Sequence, residues 1–541
     1  MTTLKNILVN YFSHLAFLFS LFFFGGLSVL LGQDINWDLL NYHFYNPYAF
    51  LNNRLTYDLA PAQIQTFLNP FLDVPFYLLV TSLPPVSVGF IYGAFQGLNF
   101  FLVYLIGQSV LPSENILNKK ILSFVLAGLG VYAPGFMAEL GTTFQDNIIS
   151  IFVLLALFIL IKEYKATETG KLSFGKIFIS GFCLGLGVGF KLTALIYAIG
   201  FFISAFLLLA KKNKGILAQY MMLCLGAASG FVTSAGYWMC RLWTEYQSPL
   251  FPFYNKIFNS PYYDRSNFFD NAFIPKDLLS KFFLPFKFAV LNSYLVSEMK
   301  FRDIRFAVIY ILLVVFLGAW AYRALKSHSL KNMHVFENKE NRLSFFLVCF
   351  FLCSYIIWQL MFSIYRYLIP IELISPLVIF LLSYGLVKNP RKLTALLSVL
   401  FVFMVFAMVP LSWGRGQWSE SYFGVEPPPV ALEEESVVLI AGGDPIAYVV
   451  PFFPPNVQFI RIESNFLMLR KTSSNLYLRD MNDILEKNTK PVYFLASITR
   501  HSSIEDSLKL LESRDLYATR ENCELFKSRF EVFILCRLEK R

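Results

Sequence analysis

The chain has 541 residues, of which 56% are hydrophobic and only 15% are charged, and its mean hydropathy is +0.54. This composition excludes an ordinary soluble globular protein and indicates a polytopic membrane protein. The formal net charge of +10 must be interpreted by location, because Lys and Arg in membrane proteins concentrate in cytoplasmic loops. The basic charge therefore gives no support for a nucleic-acid partner.

Long apolar runs divide most of the chain into membrane-spanning segments. A bilayer core needs about 20 apolar residues per helix, and on this basis the sequence predicts about eleven spans up to residue 411. The first run, Tyr11–Leu31, is too long for a signal peptide and lacks a small-residue cleavage site, so we expect a retained helix. Basic loops such as Lys211–Lys214 mark the cytoplasmic side, which places the N-terminus inside.

The segment after the last span has a different pattern. Strand-like runs such as SVVLIAGG, PVYFLAS and EVFILCRL alternate with amphipathic helical stretches. The expected fold class is therefore an α-helical polytopic membrane protein, residues 1–411, with a small α/β domain, residues 412–541. An odd number of spans places this domain outside the cytoplasm, and the expected location is a bacterial inner membrane with a periplasmic C-terminal domain. The turn Gly442-Gly443-Asp444 lacks a full nucleotide-binding fingerprint and is interpreted as an ordinary strand-to-helix turn.

The cysteines favour a disulfide in the C-terminal domain. Cys523 and Cys536 lie before and within the final strand, in a compartment that the predicted topology makes oxidising, so we expect them to pair. No Cys-x-x-Cys or Cys/His spacing occurs, so a structural zinc site has no support.

Polar residues concentrate in the predicted external loops. The first loop, residues 32–85, and the fourth, residues 239–305, are unusually long. The first loop combines carboxylates, amides and aromatic rings between apolar flanks, and its candidate site residues are Asp34, Asp38, Tyr42, His43, Asp58 and Gln65. We expect the chemistry of the protein in this loop.

Further charged residues lie at the outer ends of other predicted spans. Glu139 and Asp146 belong to the second external loop, Lys191 to the third, and Arg366 with Tyr367 to the fifth. Cations on the outer face run against the positive-inside preference, so Lys191 and Arg366 are expected to have an anionic partner. Cations that hold a phosphate, with carboxylates that activate an acceptor, favour group transfer from a lipid phosphate.

These residues resemble the GT-C class of membrane glycosyltransferases, which use polyprenyl- or dolichyl-phosphate sugars, and in particular the bacterial aminoarabinose and mannosyl transferase type. Asp38 with Tyr42 resembles the catalytic Asp of that class in the first external loop, with a Tyr four positions on. Leu39 stands where a second acid is usual, so Asp34 or Asp58 would share the work. Asp146 in TTFQDN resembles the acid of the second loop.

Two further segments carry the resemblance. GLGVGFKLTALIY is similar to a Gly-rich span that ends in a Lys turn, and SIYRYLIPIELISP to an Arg-Tyr-x-x-Pro element. The resemblance implies inverting transfer, in which Asp38 deprotonates or orients the acceptor while Lys191 and Arg366 stabilise the leaving polyprenyl phosphate. The implied partners are a polyprenyl-phosphate-linked sugar, membrane lipid and a glycan, lipid or protein acceptor. The pattern requires no cofactor and is compatible with a divalent cation.

Each candidate also has a structural interpretation. Asp34 and Asp38 could be helix-start carboxylates, and Asp146 could cap a helix that begins at Asn147. His43 could be a buried hydrogen-bonding residue. Lys191 and Arg366 could extend from helix ends towards water.

Three other classes of function stay open at this point. A multi-spanning transporter or flippase would show a similar number of spans, but usually in two repeated halves, and no convincing repeat is present. A non-catalytic assembly or sensor protein would use the exported domain to bind a partner. An O-antigen-type polymerase or ligase would place a large catalytic loop later in the chain and depend on arginine.

Overall fold

A computed structural model of the chain describes residues 2–112, 115–167, 172–210, 215–268, 271–291, 295–326, 339–426, 435–467, 475–499 and 504–540. It divides into two compact units. The helical unit consists of Met1–Leu31, Gly89–Ala235 and Asp270–Trp413. The sheet unit consists of Gly32–Val88, Gly236–Phe269 and Gly414–Arg541. The basic cluster Lys211–Lys214 lies outside the described residues.

The helices follow the apolar runs of the sequence. Their bounds are α1 Thr2–Leu31, α2 Tyr45–Leu51, α3 Val74–Ser82, α4 Pro85–Val110, α5 Ile116–Val131, α6 Pro134–Glu139, α7 Asp146–Ala166, α8 Phe174–Phe190, α9 Leu195–Leu209, α10 Ile216–Tyr246, α11 Asn255–Phe258, α12 Leu278–Lys287, α13 Arg305–Lys326, α14 Lys339–Met361, α15 Ile369–Leu386, α16 Pro390–Ala407, α17 Leu476–Lys487 and α18 Ile504–Glu512. Local capping explains several starts: the side chain of Asn389, for example, accepts hydrogen bonds from the backbone N–H groups of Arg391 and Lys392, with Pro390 in the first turn.

Nine helices in the described part of the chain are long and apolar enough to cross a bilayer. The other two predicted spans fall on α5 and α8, which have 16 and 17 residues. The predicted fold class, a helical membrane protein with a small C-terminal α/β domain, is confirmed.

Helix α15 forms the centre of the helical unit and packs against α5, α7, α13 and α14. Within the span Tyr365–Leu386, 89% of the most apolar stretch of 18 residues is buried inside the protein. The packing of this helix on several sides therefore fixes the backbone from which the side chains at its start extend.

Small residues allow α8 and α10 to pack closely. A Cβ atom on Gly181 would lie 2.2 Å from the carbonyl oxygen of Leu223, and one on Gly185 would lie 2.0 Å from that of Ala227. Glycines at four-residue spacing let two membrane helices bring their backbones into contact. The Gly-rich run before Lys191 thus fixes the helix that ends beside that lysine.

In the sheet unit, a short antiparallel pair joins β1 Gln33–Asp34 to β2 Arg415–Gly416. Five further strands are β3 Val437–Ile440, β4 Gln458–Arg461, β5 Val492–Ser497, β6 Leu516–Lys527 and β7 Val532–Lys540. They form one sheet in the order β4-β3-β5-β7-β6, in which β3 is parallel to β4 and β5, whereas β7 is antiparallel to β5 and β6. Cys523 and Cys536, the pair predicted from the sequence, are cross-strand partners joined by a disulfide.

The first predicted external loop is built into this unit. Leu59 forms a parallel bridge with Ile460 of β4, and its N–H donates to the carbonyl oxygen of Phe459 at 2.8 Å. The guanidinium of Arg461 donates to the carbonyl oxygen of Pro61 at 2.7 Å. The functional division at residue 411 stays a prediction.

Candidate functional site

The helical unit brings Asp146 and Lys191 together. Asp146 is the first residue of α7, and Lys191 directly follows the last residue of α8. The Nζ of Lys191 donates to Oδ2 of Asp146 at 2.7 Å and to the carbonyl oxygen of Phe144 at 2.9 Å. Both side chains are largely buried, with 15% of Lys191 and 5% of Asp146 exposed. The position that caps α7 is Gln145, at a left-handed φ of 71°, so Asp146 lies one residue beyond the cap.

Arg366 and Tyr367 belong to the same cluster. They lie in a short 3-10 turn, Tyr365–Leu368, immediately before α15. The Arg366 guanidinium lies 4.9 Å from the ring centroid of Phe144 and 5.4 Å from that of Tyr367, and Nζ of Lys191 lies 5.3 Å from the Tyr367 ring. Both cations thus lie over the ring of Tyr367, and four candidate residues from three predicted loops lie in one cluster.

Glu139 adds a buried carboxyl group to this cluster. It is the last residue of α6 and is 0% exposed. Among the described residues, neither carboxylate oxygen makes a hydrogen bond of normal geometry, and the backbone of Asn147 is a polar neighbour. Burial first, and the negative charge of Asp146 second, raise the pKa of Glu139 well above its usual range, while Lys191 and Arg366 act in the opposite direction. The sequence placed Glu139 in the second loop, but only the structure shows that it is buried here.

In the sheet unit, Asp34 and Asp38 occupy different environments. Oδ1 of Asp34 accepts from the backbone N of Asn36 at 3.0 Å and from its Nδ2 at 2.6 Å. Asn36 in turn accepts from the N–H of Leu39 at 2.8 Å, so Asp34 supports the start of a helical segment. Asp38 is half-buried and directly precedes a π-helical turn, Leu39–His43. Of the two, Asp38 is the more accessible candidate base.

Asp58 lies in a saturated ion pair. Its oxygens accept from Nε and Nη2 of Arg54 at 2.7 and 2.8 Å, from the hydroxyl of Tyr45 at 2.9 Å and from the N–H of Phe459 at 2.9 Å. Burial raises its pKa, and the hydrogen bonds from Arg54 oppose the shift. A substrate contact would require this ion pair to open. The i,i+4 spacing of Arg54 and Asp58 is a sequence signal that could have identified the pair.

The remaining first-loop candidates are also held by internal contacts. Nδ1 of His43 lies 2.8 Å from Oδ1 of Asp73, and both residues are buried. The ring of Tyr42 lies 4.0 Å from that of His43. Gln65 accepts from Nδ2 of Asn41 at 3.3 Å. Their predicted roles in substrate binding stay predictions. Across the described ranges, no group of three or more His, Cys, Asp or Glu residues could hold a metal ion.

Comparisons with known proteins found similarity in structure only. No protein-family model matches the sequence, and the search of curated proteins gave no significant match. An oligosaccharyltransferase from Archaeoglobus fulgidus, tethered to an acceptor peptide with an NVT sequon, is similar at a TM-score of 0.46 and 12% identity, over 90% of this chain and 69% of that one. ArnT from Cupriavidus metallidurans, bound to undecaprenyl phosphate, is similar at a TM-score of 0.45 and 11% identity, over 99% of this chain and 98% of that one.

Both proteins are GT-C glycosyltransferases, the class that the sequence motifs resemble. At TM-scores below 0.5, these matches transfer no residue role and no substrate to this chain. The roles proposed below rest on the contacts within each unit.

Proposed function

We propose that this protein is a membrane glycosyltransferase that moves a sugar from a polyprenyl-phosphate donor to an extracytoplasmic glycan, lipid or protein acceptor. The observation that carries the proposal is the cluster of Lys191, Arg366, Asp146 and Glu139 at the ends of membrane-type helices. Its charges, its burial and its position at helix ends suit the phosphate of a lipid carrier. The expected setting is the inner membrane of a bacterium.

The charge balance of the cluster favours a phosphate ligand. Asp146 neutralises one of the two cations, and the raised pKa of Glu139 favours the neutral form of its carboxyl group. With Glu139 neutral, one positive charge remains, which matches a phosphodiester with a single negative charge. An ammonium group has three donors, and the described bonds of Lys191 use two of them. The third can donate to a phosphate oxygen.

The same cations suit the leaving group better than the donor. When the bond between the anomeric carbon and the phosphate oxygen breaks, that oxygen takes the electron pair and the phosphate gains negative charge. Cations in a water-poor site stabilise such developing charge without reorganisation. Lys191 and Arg366 would therefore lower the barrier as well as bind the donor.

Asp38 is the proposed base. The acceptor hydroxyl or amine attacks the anomeric carbon from the face opposite the phosphate, its proton passes to Asp38, and polyprenyl phosphate leaves with inversion. A positioned general base contributes about a hundredfold to ten-thousandfold. Its half-buried location at the start of a helical turn fits a carboxylate that meets a substrate.

The test is sugar transfer by the purified protein in lipid, with a panel of labelled polyprenyl-phosphate sugars and several acceptors. Asp38→Asn should lose transfer, and any slow donor hydrolysis, by at least about a hundredfold. Asp483→Asn is the matched control, because Asp483 is an exposed carboxylate paired with Lys487 on α17. If the folded wild-type protein gives no product that depends on Asp38, the glycosyltransferase proposal is overturned, and transport or partner binding becomes the better explanation.

A further inference from the structure

A buried ionic network lies in the helical unit beside the candidate phosphate cluster, and the proposed reaction assigns it no role. Arg305 donates from Nε to Oδ1 of Asp303 at 2.8 Å and from Nη2 to Oδ2 at 2.7 Å. The same Nη2 lies 3.1 Å from Oε1 of Glu372. All three side chains are at most 3% exposed. The hydroxyl of Tyr365 lies 2.7 Å from Oδ2 of Asp303 and 2.8 Å from Oε1 of Glu372.

Glu372 contacts two segments that carry residues of the cluster, namely α6 and the turn before α15. Its Oε1 accepts from the backbone N–H of Gly135 at 3.0 Å, and its Oε2 from that of Phe136 at 3.1 Å. These two N–H groups belong to the first turn of α6, which ends at Glu139. A carboxylate from the first turn of α15 thus caps the helix that carries Glu139.

The second connection runs through Tyr365. Its hydroxyl meets Glu372, and the next residue along the 3-10 turn is Arg366. Other contacts also hold this turn. The backbone N–H of Tyr365 donates to the carbonyl oxygen of Val296 at 2.7 Å, and the hydroxyl of Tyr197 donates to the backbone carbonyl oxygen of Tyr367. Glu372, which contacts this turn through Tyr365, also bonds to the first turn of α6.

We propose that Glu372 is a positioning residue that sets the placement of Arg366 and Glu139 together, so that both meet one phosphate group. The inference rests on the proposed function, because it assigns the phosphate of the lipid carrier as the ligand. Binding and catalytic groups must be held to within about 0.5 Å to be effective. A carboxylate with three described N–H donors and a hydroxyl that it shares with Asp303 can do this. The competing explanation is a buried ion pair that serves stability alone.

The test compares Glu372→Gln with Asp303→Asn. Both variants remove one carboxylate from the network, but none of the described bonds of Asp303 goes to α6. We expect Glu372→Gln to weaken binding of undecaprenyl phosphate, measured by calorimetry in detergent, by at least about tenfold. Asp303→Asn should lower the unfolding temperature by a similar amount and reduce affinity less. Equal effects of the two variants on affinity would overturn the positioning role.

A double-variant cycle makes the assignment sharper. If Glu372 acts in part through Arg366, then Glu372→Gln should weaken affinity by a smaller factor in an Arg366→Gln background than in the wild-type protein. A purely structural loss would add to that of Arg366→Gln. Additive losses would therefore contradict the proposal.

Hydrogen exchange without ligand separates this proposal from the proposed function. In Glu372→Gln, the backbone amides of residues 135–139 and 365–368 should both exchange faster than in Asp303→Asn. Unchanged exchange in either segment overturns the positioning role, whether or not the protein binds a lipid phosphate. A wild-type protein that neither binds undecaprenyl phosphate nor transfers sugar counts against the proposed function, and the exchange result still decides the role of Glu372.

Discussion

Replacement of Lys191 by Met should separate the stability of the candidate site from its affinity for phosphate. Met keeps much of the apolar stem of Lys and removes the ammonium group, which donates to Asp146 at 2.7 Å and to Phe144 at 2.9 Å. Asp146, with 5% of its side chain exposed, is then a buried charge without its ion pair. Breaking such a pair costs about 3 to 5 kcal/mol. Loss of one charge-assisted hydrogen bond to a phosphate costs about 1.5 to 3 kcal/mol.

Loss of the hydrogen bond to phosphate therefore corresponds to a dissociation constant for a polyprenyl phosphate that is roughly 10- to 150-fold larger. Thermal unfolding in detergent and calorimetric titration measure the two effects independently. The double variant Lys191→Met with Asp146→Asn removes both charges, so it should recover most of the lost stability. It also restores the net charge of the wild-type cluster, so affinity should recover in part, while the hydrogen bond from Lys191 stays lost. Lys176→Met is the control, because Lys176 is 61% exposed and pairs with Glu163 on a predicted cytoplasmic loop. Full wild-type affinity in Lys191→Met, or in the double variant, would refute the phosphate assignment.

Three further predictions concern stability. Asp58→Asn leaves Arg54 without its buried bidentate partner and should destabilise the sheet unit by about 3 to 5 kcal/mol in thermal or denaturant unfolding, whereas Asp483→Asn should be nearly neutral. The pKa of Glu139 is raised in the folded protein, so the folded protein keeps a proton that the unfolded chain releases above the ordinary Glu pKa of 4.5. The unfolding temperature should therefore fall as pH rises through the raised pKa. Glu139→Gln should abolish this dependence on pH. Gly185→Ala should lower the unfolding temperature, since its Cβ would lie 2.0 Å from the Ala227 carbonyl oxygen, while Gly128→Ala, with nothing within 4 Å, should not.

Much of the fold could be predicted from the sequence because the signals are local. Apolar runs located the membrane-type helices, and alternating patterns located the strands of the sheet unit. Charge placement was informative about the candidate site as well. Lys191 and Arg366 stood out because they lie at predicted outer ends of spans, where cations are uncommon, and the structure places both beside Phe144.

The supporting contacts could not be predicted, since they join residues far apart in the chain. Glu372 meets Gly135 across 237 positions and Arg305 across 67, and nothing in the local pattern around these residues marks the connection. Glu139 was visible as a carboxylate in a short loop, but its burial depends on how α6 packs within the helical unit. The spacing of Arg54 and Asp58 indicates an ion pair, but the bond from the N–H of Phe459 to Asp58 spans 401 positions and has no local signal.

The bridge between Leu59 and Ile460 has a consequence for how the C-terminal segment can be handled. Strand β4 lies at one edge of the five-stranded sheet, and an open edge offers unpaired N–H and C=O groups to any other strand. Leu59 and Asp58 bond to that edge through the backbone of Phe459, so the first loop protects it from pairing with another molecule. A fragment that begins at residue 412 would expose this edge and should self-associate, whereas the full chain keeps it covered.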